Sequence, residues 1–561
     1  MFDGDDDLFG HFETVPAEQG LKRPAASINA SGNIMSEPPA LKKPREAAAP
    51  AAAPQAKKEL GGVPAAVQEG DPAPEPTGKT CKHEVAMPEG QQPTEDMINL
   101  VRPGIEPVRT YKFELDPFQK AAVACIERDE SVLVSAHTSA GKTVCAEYAI
   151  ATGLRDKQRV IYTSPIKALS NQKYRELMED FGDVGLMTGD VTINVEASCL
   201  VMTTEILRNM LYRGHAMVRE VQWVIFDEVH YMRDKERGVI WEEAIILLPH
   251  AVRFVFLSAT IPNSAEFAAW VAQTHSQPCH VVATASRPTP LQHWAYPAGA
   301  DGLYLLLDEH GTFHRHHFAA AMDALAQPAG RPAAARLNSR ESPAMQRLLS
   351  MLLARQLTPA IVFAFSRKEC EGAAVCARSM PLLEDDQLAA VRLIFAQAIA
   401  TLSAEDQALS QIQRMLPLLE RGVAVHHSGL LPILKELVEL LFQESLVRLL
   451  FATETFSMGV NMPARTVVFT SLTKWDGETF RPPTAAEYTQ MAGRAGRRGI
   501  DARGMVVLCL TEPLDEADAS KMLRNVALPL ESSFRLRFNT LLRLYSMESF
   551  EPEKLILQSF Y

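Results

Sequence analysis

Three short clusters hold the side chains with chemistry to offer. The first, AHTSAGKT (Ala136–Thr143), has the spacing G-x-x-x-x-G-K-[ST] of a phosphate-binding loop, with alanine at the first glycine. In that spacing the backbone of Ala136, His137, Thr138, Ser139, Ala140 and Gly141 surrounds phosphate oxygens. Lys142 reaches the β- and γ-phosphates of a nucleotide, and the Thr143 hydroxyl ligates magnesium. Alanine at 136 costs little provided the turn there needs no positive φ. A second match, APEPTGKT (Ala73–Thr80), serves as a control. It has no strand before it, two prolines inside it and no helix pattern after it, so its amides are not expected to converge on an anion.

The second cluster is WVIFDEVH, where an apolar strand ends in Asp227, Glu228 and His230. A strand-end aspartate can hold magnesium, and a neighbouring glutamate can activate the attacking water. A surface acidic pair is the alternative, and the buried strand before it argues against that. The third, FLSATIPN, puts Ser258 and Thr260 at the end of the next strand, where small hydroxyls can relay phosphate occupancy to the rest of the fold.

Positioning these clusters calls for a sheet, and the pattern supplies one. Apolar runs of strand type (SVLVSA, RVIYTS, CLVMTT, WVIFDE, RFVFLSAT) alternate with helical stretches such as VCAEYAIATGL and NQKYRELMEDF. Such alternation predicts a parallel sheet covered on both faces. After an Ala/Pro/Arg-rich break near 327–342 the alternation restarts with AIVFAFS, VAVHHSG, VRLLFATE, TVVFTS and MVVLCL. The predicted fold is α/β, with two tandem domains, and a helical insertion interrupts the second at roughly 380–420. The expected division is a disordered tail over 1–96, a first domain over 97–318, a linker over 319–345, a second domain over 346–525 and an unfinished unit over 526–561.

Composition narrows the class. The net charge of −12 includes 9 basic and 16 acidic residues in the first 96 positions, so nucleic-acid binding, if present, rests on a local groove rather than overall charge. No apolar run is long enough to span a bilayer, so no membrane partner is expected. Eight scattered cysteines, several inside apolar strands, fit a reducing compartment. Cys81 and His83 lie close, but no second ligand pair follows them, which argues against zinc there. The His-rich HGTFHRHHF (310–318) matches no common metal spacing and is expected to be a solvated loop. In the tail, Leu8, Phe9 and Phe12 of DLFGHFE stand out as a segment that orders against a partner groove, an accidental apolar patch being the alternative. Lys22, Arg23, Lys42, Lys43 and Arg45 read as a loose nuclear address or as a solvated charge run.

Taken in order, AGKT, TSPIKALSNQKY, TGD, MTTEILRNML, DEVH, SAT, FAFSRKECE, HHSGLLP, ATETFSMGVNMPART and QMAGRAGRRG resemble the motif series of superfamily 2 DExH-box helicases. More narrowly the chain is similar to the superkiller-like family, nearest its nuclear-exosome branch, over about 100–561. The resemblance implies two RecA-like domains that use ATP with Mg²⁺. In that pattern Gln490, Arg494 and Arg497 meet the γ-phosphate across the cleft, the arginines acting as fingers. A basic turn after a helix is an alternative reading for Arg498, less so for the other two. Phe113 and Gln119 of FELDPFQKAA resemble the adenine-reading motif, Phe113 stacking and Gln119 bonding the base edge. The resemblance places Thr188, Gly189, Thr203 and Thr204 in the first domain along an RNA strand, with Ser366, Arg367, His427, Gly429 and Thr453 in the second; several of these are equally suited to capping helices. Relatives often carry glycine where this chain has Ser428, whose extra group narrows the approach to a phosphate.

Asp476–Gly477 is a hairpin signal. In related processive helicases a hairpin here separates strands, which would put Trp475 at the duplex. Relatives also open with a segment like DLFGHFE that docks on the exosome's nuclease and its cofactor. The resemblance therefore implies a 3′→5′ RNA helicase of the nucleoplasm and nucleolus that unwinds RNA and feeds it to the exosome, rRNA maturation included. Poly(A) polymerase and zinc-knuckle adaptor complexes are further implied partners. The alternatives are a cytoplasmic superkiller-type helicase, a DNA-directed relative, and a non-unwinding scaffold that binds ATP and RNA. The last thirty residues resemble only the approach to the winged helix that follows in relatives.

Overall fold

The computed structural model describes residues 81–561 except 103, 105, 138–139, 235, 285, 299, 301, 327–341, 460–461, 525–528, 536–537, 546–551 and 561. The expectations for the 1–80 region, including Leu8, Phe9, Phe12 and the decoy loop at 73–80, lie outside the described residues, as do Thr138 and Ser139.

Two parallel-dominated sheets carry the described chain. The first has nine strands in the order Cys81–Ala86, Cys279–Thr284, Ser131–Ser135, Arg253–Ser258, Val221–Phe226, Arg159–Ser164, Cys199–Thr203, Val184–Met187, Thr192–Ile193. Only the outermost pairings at its two edges are antiparallel. The inner strands alternate between two apolar layers, as a pleat covered on both faces must. Leu133, Val224, Phe226, Phe254 and Phe256 point into one layer; Val132, Val134, Trp223, Ile225, Val255 and Leu257 point into the other. Phe256 stacks on Phe226 and Phe254 at 5.5 and 5.4 Å, and those two are tilted to each other at 6.4 Å. Truncating Phe256 to alanine in such a layer would cost about 3–5 kcal/mol.

The second sheet has seven strands in the order Tyr304–Leu307, Leu291–Pro297, Gly504–Leu510, Thr466–Phe469, Ala360–Phe363, Leu449–Ala452, Val423–His426. Leu291–Pro297 runs parallel to Gly504–Leu510 over seven residue pairs. The segment 291–307, expected in the first domain, therefore belongs to the second sheet, and the chain changes sheets between 284 and 291 rather than after 318. An amphipathic strand looks the same whichever sheet receives it; only the long-range pairing decides. The insertion is helical as expected, with helices Asp385–Ile399, Ala404–Gln407 and Ser410–Leu419. The His-rich stretch is not all loop: its last residues open the helix Arg315–Ala326.

Past the second sheet the chain returns to the first lobe. Asn263 exchanges two hydrogen bonds with the Leu530 backbone, at 2.9 and 2.8 Å. Buried Glu242 accepts from Ser532 Oγ and Ser533 N, and Trp270 Nε1 donates to Gln558 O. Two short helices, Phe538–Tyr545 and Pro552–Leu557, follow, and their Leu544 and Leu555 pack with Tyr212 and Ile246 of the first lobe. No described helix is long and apolar enough to cross a membrane.

Candidate active site

The chemical side chains converge at the carboxyl ends of the first sheet's strands, the edge where open α/β sheets bind ligands. Ser135 leads into the phosphate loop and Thr143 opens the helix Thr143–Arg155, so the loop's amides and the helix N-terminus share one region. Gly141 has φ +91°, and a Cβ there would lie 2.9 Å from Gln119 Nε2 and 3.2 Å from Arg498 Nη1. Ala136, by contrast, is buried and is not among the positive-φ residues, so alanine fits where the loop pattern usually has glycine. Lys142 is buried, and its ammonium donates to the Ala136 carbonyl at 2.9 Å, folded back inside its own loop.

Asp227 and Glu228 follow strand Val221–Phe226. Asp227 is buried; Tyr162 Oη donates to its Oδ2 at 2.5 Å and the Glu228 amide to its Oδ1 at 2.9 Å. Burial and the adjacent Glu228 push the Asp227 carboxyl above its ordinary range, against the opposing pull of Lys173, Tyr162 and Lys142. Glu228 itself sits in the left-handed region, φ +54° and ψ +47°, an uncommon conformation for a residue with a Cβ. Its Oε2 lies 3.3 Å from His230 Nδ1, which also accepts from the Ala259 amide at 3.4 Å. Through that imidazole the acidic cluster touches the Ser258–Thr260 turn. Burial, then the Lys142 and Arg233 charges, push His230 down to about 3, so the ring is neutral and able to accept. Ser258 Oγ is buried with no hydrogen-bond partner among the described residues.

The oxygen donors fit magnesium. Thr143 and Asp227 offer the hard oxygen ligands that magnesium takes. Phe113 is half exposed beside Tyr111, with ring centroids 5.5 Å apart, free to meet a base. Gln119 is buried: its Oε1 accepts from the Asp116 amide at 2.8 Å and its Nε2 donates to the Gly141 carbonyl at 2.9 Å.

From the second lobe, helix Ala485–Ala492 is held by a reciprocal cap. Thr484 N donates to Glu487 Oε2 at 2.7 Å and Glu487 N to Thr484 Oγ1 at 3.3 Å. The helix delivers Gln490, whose Nε2 reaches Tyr231 Oη of the first lobe at 3.2 Å. In the turn after it the three arginines have different partners. Arg494 is buried and donates to the Ser457 carbonyl; burial pushes its guanidinium below its ordinary value, against the opposing charges of Glu228 and Tyr231. Arg497 is paired with Asp501 of its own lobe at 2.8 and 3.0 Å. Arg498, readable in sequence as a plain basic turn, is the one that crosses, donating to Ala140 O at 2.8 Å and to Asp116 Oδ2 at 2.5 Å. Arg287, between the sheets, braces that turn by donating to the Gly493 and Ala495 carbonyls. Arg287 and Tyr162 are not evident from the sequence: an arginine in RPTPLQHW and a tyrosine inside a strand carry no local signal.

The expected RNA contacts also sit at carboxyl ends of strands, in both lobes. Their side chains are partly occupied. Thr188 Oγ1 bonds the Val191 backbone, Ser366 caps helix Arg367–Cys376, and Thr204 Oγ1 lies 3.5 Å from Ser164 O. Thr203 is buried at the start of helix Thr204–Tyr212. His427 is buried, with Nε2 on Glu371 at 3.0 Å and Nδ1 accepting from the Gly429 amide at 3.1 Å. Thr453 Oγ1 pairs with Thr455, and Gly189 lies open beside Lys167. Arg367 Nη2 donates to Ser428 Oγ at 2.9 Å. Near this face Arg175 and Glu436 bridge the two lobes at 2.7 Å. The expected hairpin is present: Lys474–Trp475 pairs with Phe480–Arg481, with Gly477 at φ +109° and both Trp475 and Phe480 exposed.

Comparison with known proteins agrees with this arrangement. Residues 116–267 match the DEAD/DEAH box helicase family and residues 377–499 the helicase conserved C-terminal domain. The ATP-dependent RNA helicase mtr4 of Schizosaccharomyces pombe is 54% identical over 495 residues, 86% of this chain and 44% of that protein. The exosome RNA helicase MTR4 of Homo sapiens is 54% identical over 490 residues, 86% of this chain and 46% of that protein. The superkiller complex protein 2 of Mus musculus is 46% identical over 502 residues, 87% and 40% respectively. By these matches the chain is similar to the superkiller-like DExH-box helicases. It spans less than half the length of these three relatives. The two matched regions supply the two faces of the cleft: Lys142, Asp227 and Glu228 come from the first match, Gln490, Arg494 and Arg497 from the second.

Proposed function

We propose that this chain is an ATP-dependent RNA helicase that moves 3′→5′ and delivers RNA to the nuclear exosome. The observation that carries the reading is the meeting of Arg498 and Gln490 of the second lobe with Ala140 and Tyr231 of the first. A nucleotide held by the loop would be enclosed by both lobes, so its cleavage would alter how they meet. Phe113 and Gln119 hold the base, the loop amides from Ala136 to Gly141 hold the phosphates with Lys142, and Thr143 and Asp227 hold magnesium. Bound there, the ion supplies charge neutralisation on the transferring phosphoryl group. Glu228 takes the proton of the attacking water, beside neutral His230, which accepts from Ala259 of the Ser258–Thr260 turn. Gln490, Arg494 and Arg497 stabilise the charge that develops across the cleft.

RNA would cross both lobes past Thr188, Gly189, Thr203 and Thr204, then Ser366, Arg367, His427, Gly429 and Thr453. The Trp475–Phe480 hairpin stands ready to part a duplex. The exosome assignment is supported by the relatives' names, and Leu8, Phe9 and Phe12 are its proposed docking segment. A nuclear and nucleolar location, and contact with poly(A) polymerase and zinc-knuckle adaptors, belong to the same proposal.

Steady-state ATPase activity with single-stranded RNA, with single-stranded DNA and with neither tests it. The expected result is stimulation by RNA above DNA. Equal rates in all three would defeat the coupling of ATP to RNA.

A further inference from the structure

The edge strand Cys81–Ala86 lies antiparallel to Cys279–Thr284, with His83 opposite Val282 and Val85 opposite His280. The diagonal brings two imidazoles together. His83 and His280 stack with centroids 5.2 Å apart and planes 11° apart, and His83 Nε2 lies 2.9 Å from His280 Nδ1. The His280 ring is committed elsewhere as well. Its Nε2 donates to Glu130 Oε2 at 2.9 Å, a carboxylate itself held by Arg128 at 2.8 Å. A neutral imidazole has one donor and one acceptor nitrogen. With Nε2 so used, His280 Nδ1 presents a lone pair toward His83 Nε2, a position that a proton or a metal ion can fill.

A third ligand is at hand. Cys125, on helix Pro117–Glu127, places its Sγ so that it and the two ring nitrogens all lie within 4.8 Å of one another. Cys125 and His280 are fully buried, and His83 is half-buried at the sheet edge. A carboxylate on the far ring nitrogen, as Glu130 is on His280, is a usual outer shell of metal-ligating histidines.

We infer that His83 Nε2, His280 Nδ1 and Cys125 Sγ form a site for zinc or a zinc-like divalent transition metal, with water completing a tetrahedron on the open side of His83. Two nitrogens and a sulfur suit a borderline-soft ion and not magnesium, whose ligands are oxygens. Nitrogens at about 2.1 Å from a tetrahedral centre sit about 3.4 Å apart, so the rings need part by only about half an ångström. On binding, the Cys125 thiol releases its proton to solvent and the sulfur bonds the metal. The ion would tie the edge strand to a core strand and to the helix whose other end carries Gln119. The ligands, at 83, 125 and 280, are too far apart in the chain to form a sequence motif, which is why Cys81 and His83 looked unaccompanied.

The full chain, purified without chelator, is stripped, titrated with cobalt(II) and read by visible absorption, with elemental analysis of the zinc-loaded form. One metal per chain and a thiolate-to-cobalt charge-transfer band are expected. Cys125→Ser should abolish that band. His83→Gln, a change at the half-buried sheet edge, should weaken cobalt binding roughly tenfold or more, with thermal unfolding of the metal-free form checking that the fold survives. Absence of the thiolate band in the parent chain overturns the site. So does cobalt binding that is the same in the parent, Cys125→Ser and His83→Gln.

Discussion

The Arg498 guanidinium reaches across the cleft to the Ala140 carbonyl at 2.8 Å, while its neighbour Arg497 stays on Asp501 of its own lobe. Adjacent arginines thus face different tasks. Arg498 also pairs with Asp116, beside the helix start that holds Gln119, so it clamps the base side of the cleft. Replacing it with alanine should remove about 1 kcal/mol of closure, raising KM for ATP roughly fivefold with kcat little changed. Steady-state kinetics distinguish this from a finger role: a fall in kcat at unchanged KM would contradict it.

Glu228 is held at φ +54° with its carboxylate 3.3 Å from His230. Backbone strain at a carboxylate beside the loop is the arrangement expected of a positioned base. Glu228→Gln keeps shape and removes basicity. Nucleotide binding, measured by fluorescence, should persist within about twofold, and turnover should fall roughly 10²–10⁴-fold. Hydrolysis near the parental rate would remove Glu228 from the reaction.

How far these features could be read from the chain depends on how local they are. Lys142, Asp227 and Glu228 announce themselves because a strand, a tight turn and a helix start lie within a few residues. The division of labour among Arg494, Arg497 and Arg498 does not. It depends on a turn bounded by Gly496 at φ +85° and Gly499 at φ +75°, and on Asp501 capturing one side chain. Tyr162 looks like any buried strand aromatic until Asp227 is placed 2.5 Å from its hydroxyl by a neighbouring strand. The sheet change before Leu291 was hidden for the same reason, since pairing with Gly504–Leu510 joins residues about two hundred positions apart.

The two ends of the phosphate loop should respond oppositely to a methyl group. Gly141→Ala forces a Cβ into a left-handed position 2.9 Å from Gln119 Nε2 and 3.2 Å from Arg498. The backbone cost alone is about 1–2 kcal/mol, and ATP affinity should drop roughly tenfold or more. Ala136→Gly, where φ is not positive, should leave ATP affinity within about twofold and lower stability by about 0.5–1 kcal/mol. Nucleotide titration and urea unfolding of both variants check this; equal losses of affinity would defeat the distinction.

His293, on Leu291–Pro297, the first strand of the second sheet in chain order, is buried with Nδ1 2.5 Å from Tyr488 Oη. Burial, then the Arg287 charge, push it down to about 3, from an ordinary value of 6.5. The unfolded chain therefore binds a proton below about 6.5 that the folded chain refuses until about 3. Stability from this group is complete above 6.5 and declines as pH falls through that window, by about 1.4 kcal/mol per pH unit. Between pH 6.5 and pH 5 the loss is about 2 kcal/mol. Urea midpoints at the two pH values should converge in His293→Gln relative to the parent; an unchanged difference would exclude His293 as the source.

On the face assigned to RNA, Ser428 Oγ accepts from Arg367 Nη2 at 2.9 Å, and both residues are exposed. The hydroxyl holds a guanidinium that is otherwise suited to a phosphate. A strand entering here must displace that bond and pass the extra Cβ, while the adjacent Gly429 amide is already committed to His427 Nδ1. Ser428→Gly removes the hydroxyl and the bulk together and leaves Arg367 to seek another anion. Affinity for single-stranded RNA, by anisotropy, should rise roughly three- to tenfold, about 0.7–1.4 kcal/mol, and its salt dependence should steepen as one more phosphate is neutralised. Arg367→Ala in the same background should cancel the gain. If Ser428→Gly binds RNA no better, or the gain survives loss of Arg367, the serine is not what restrains this contact.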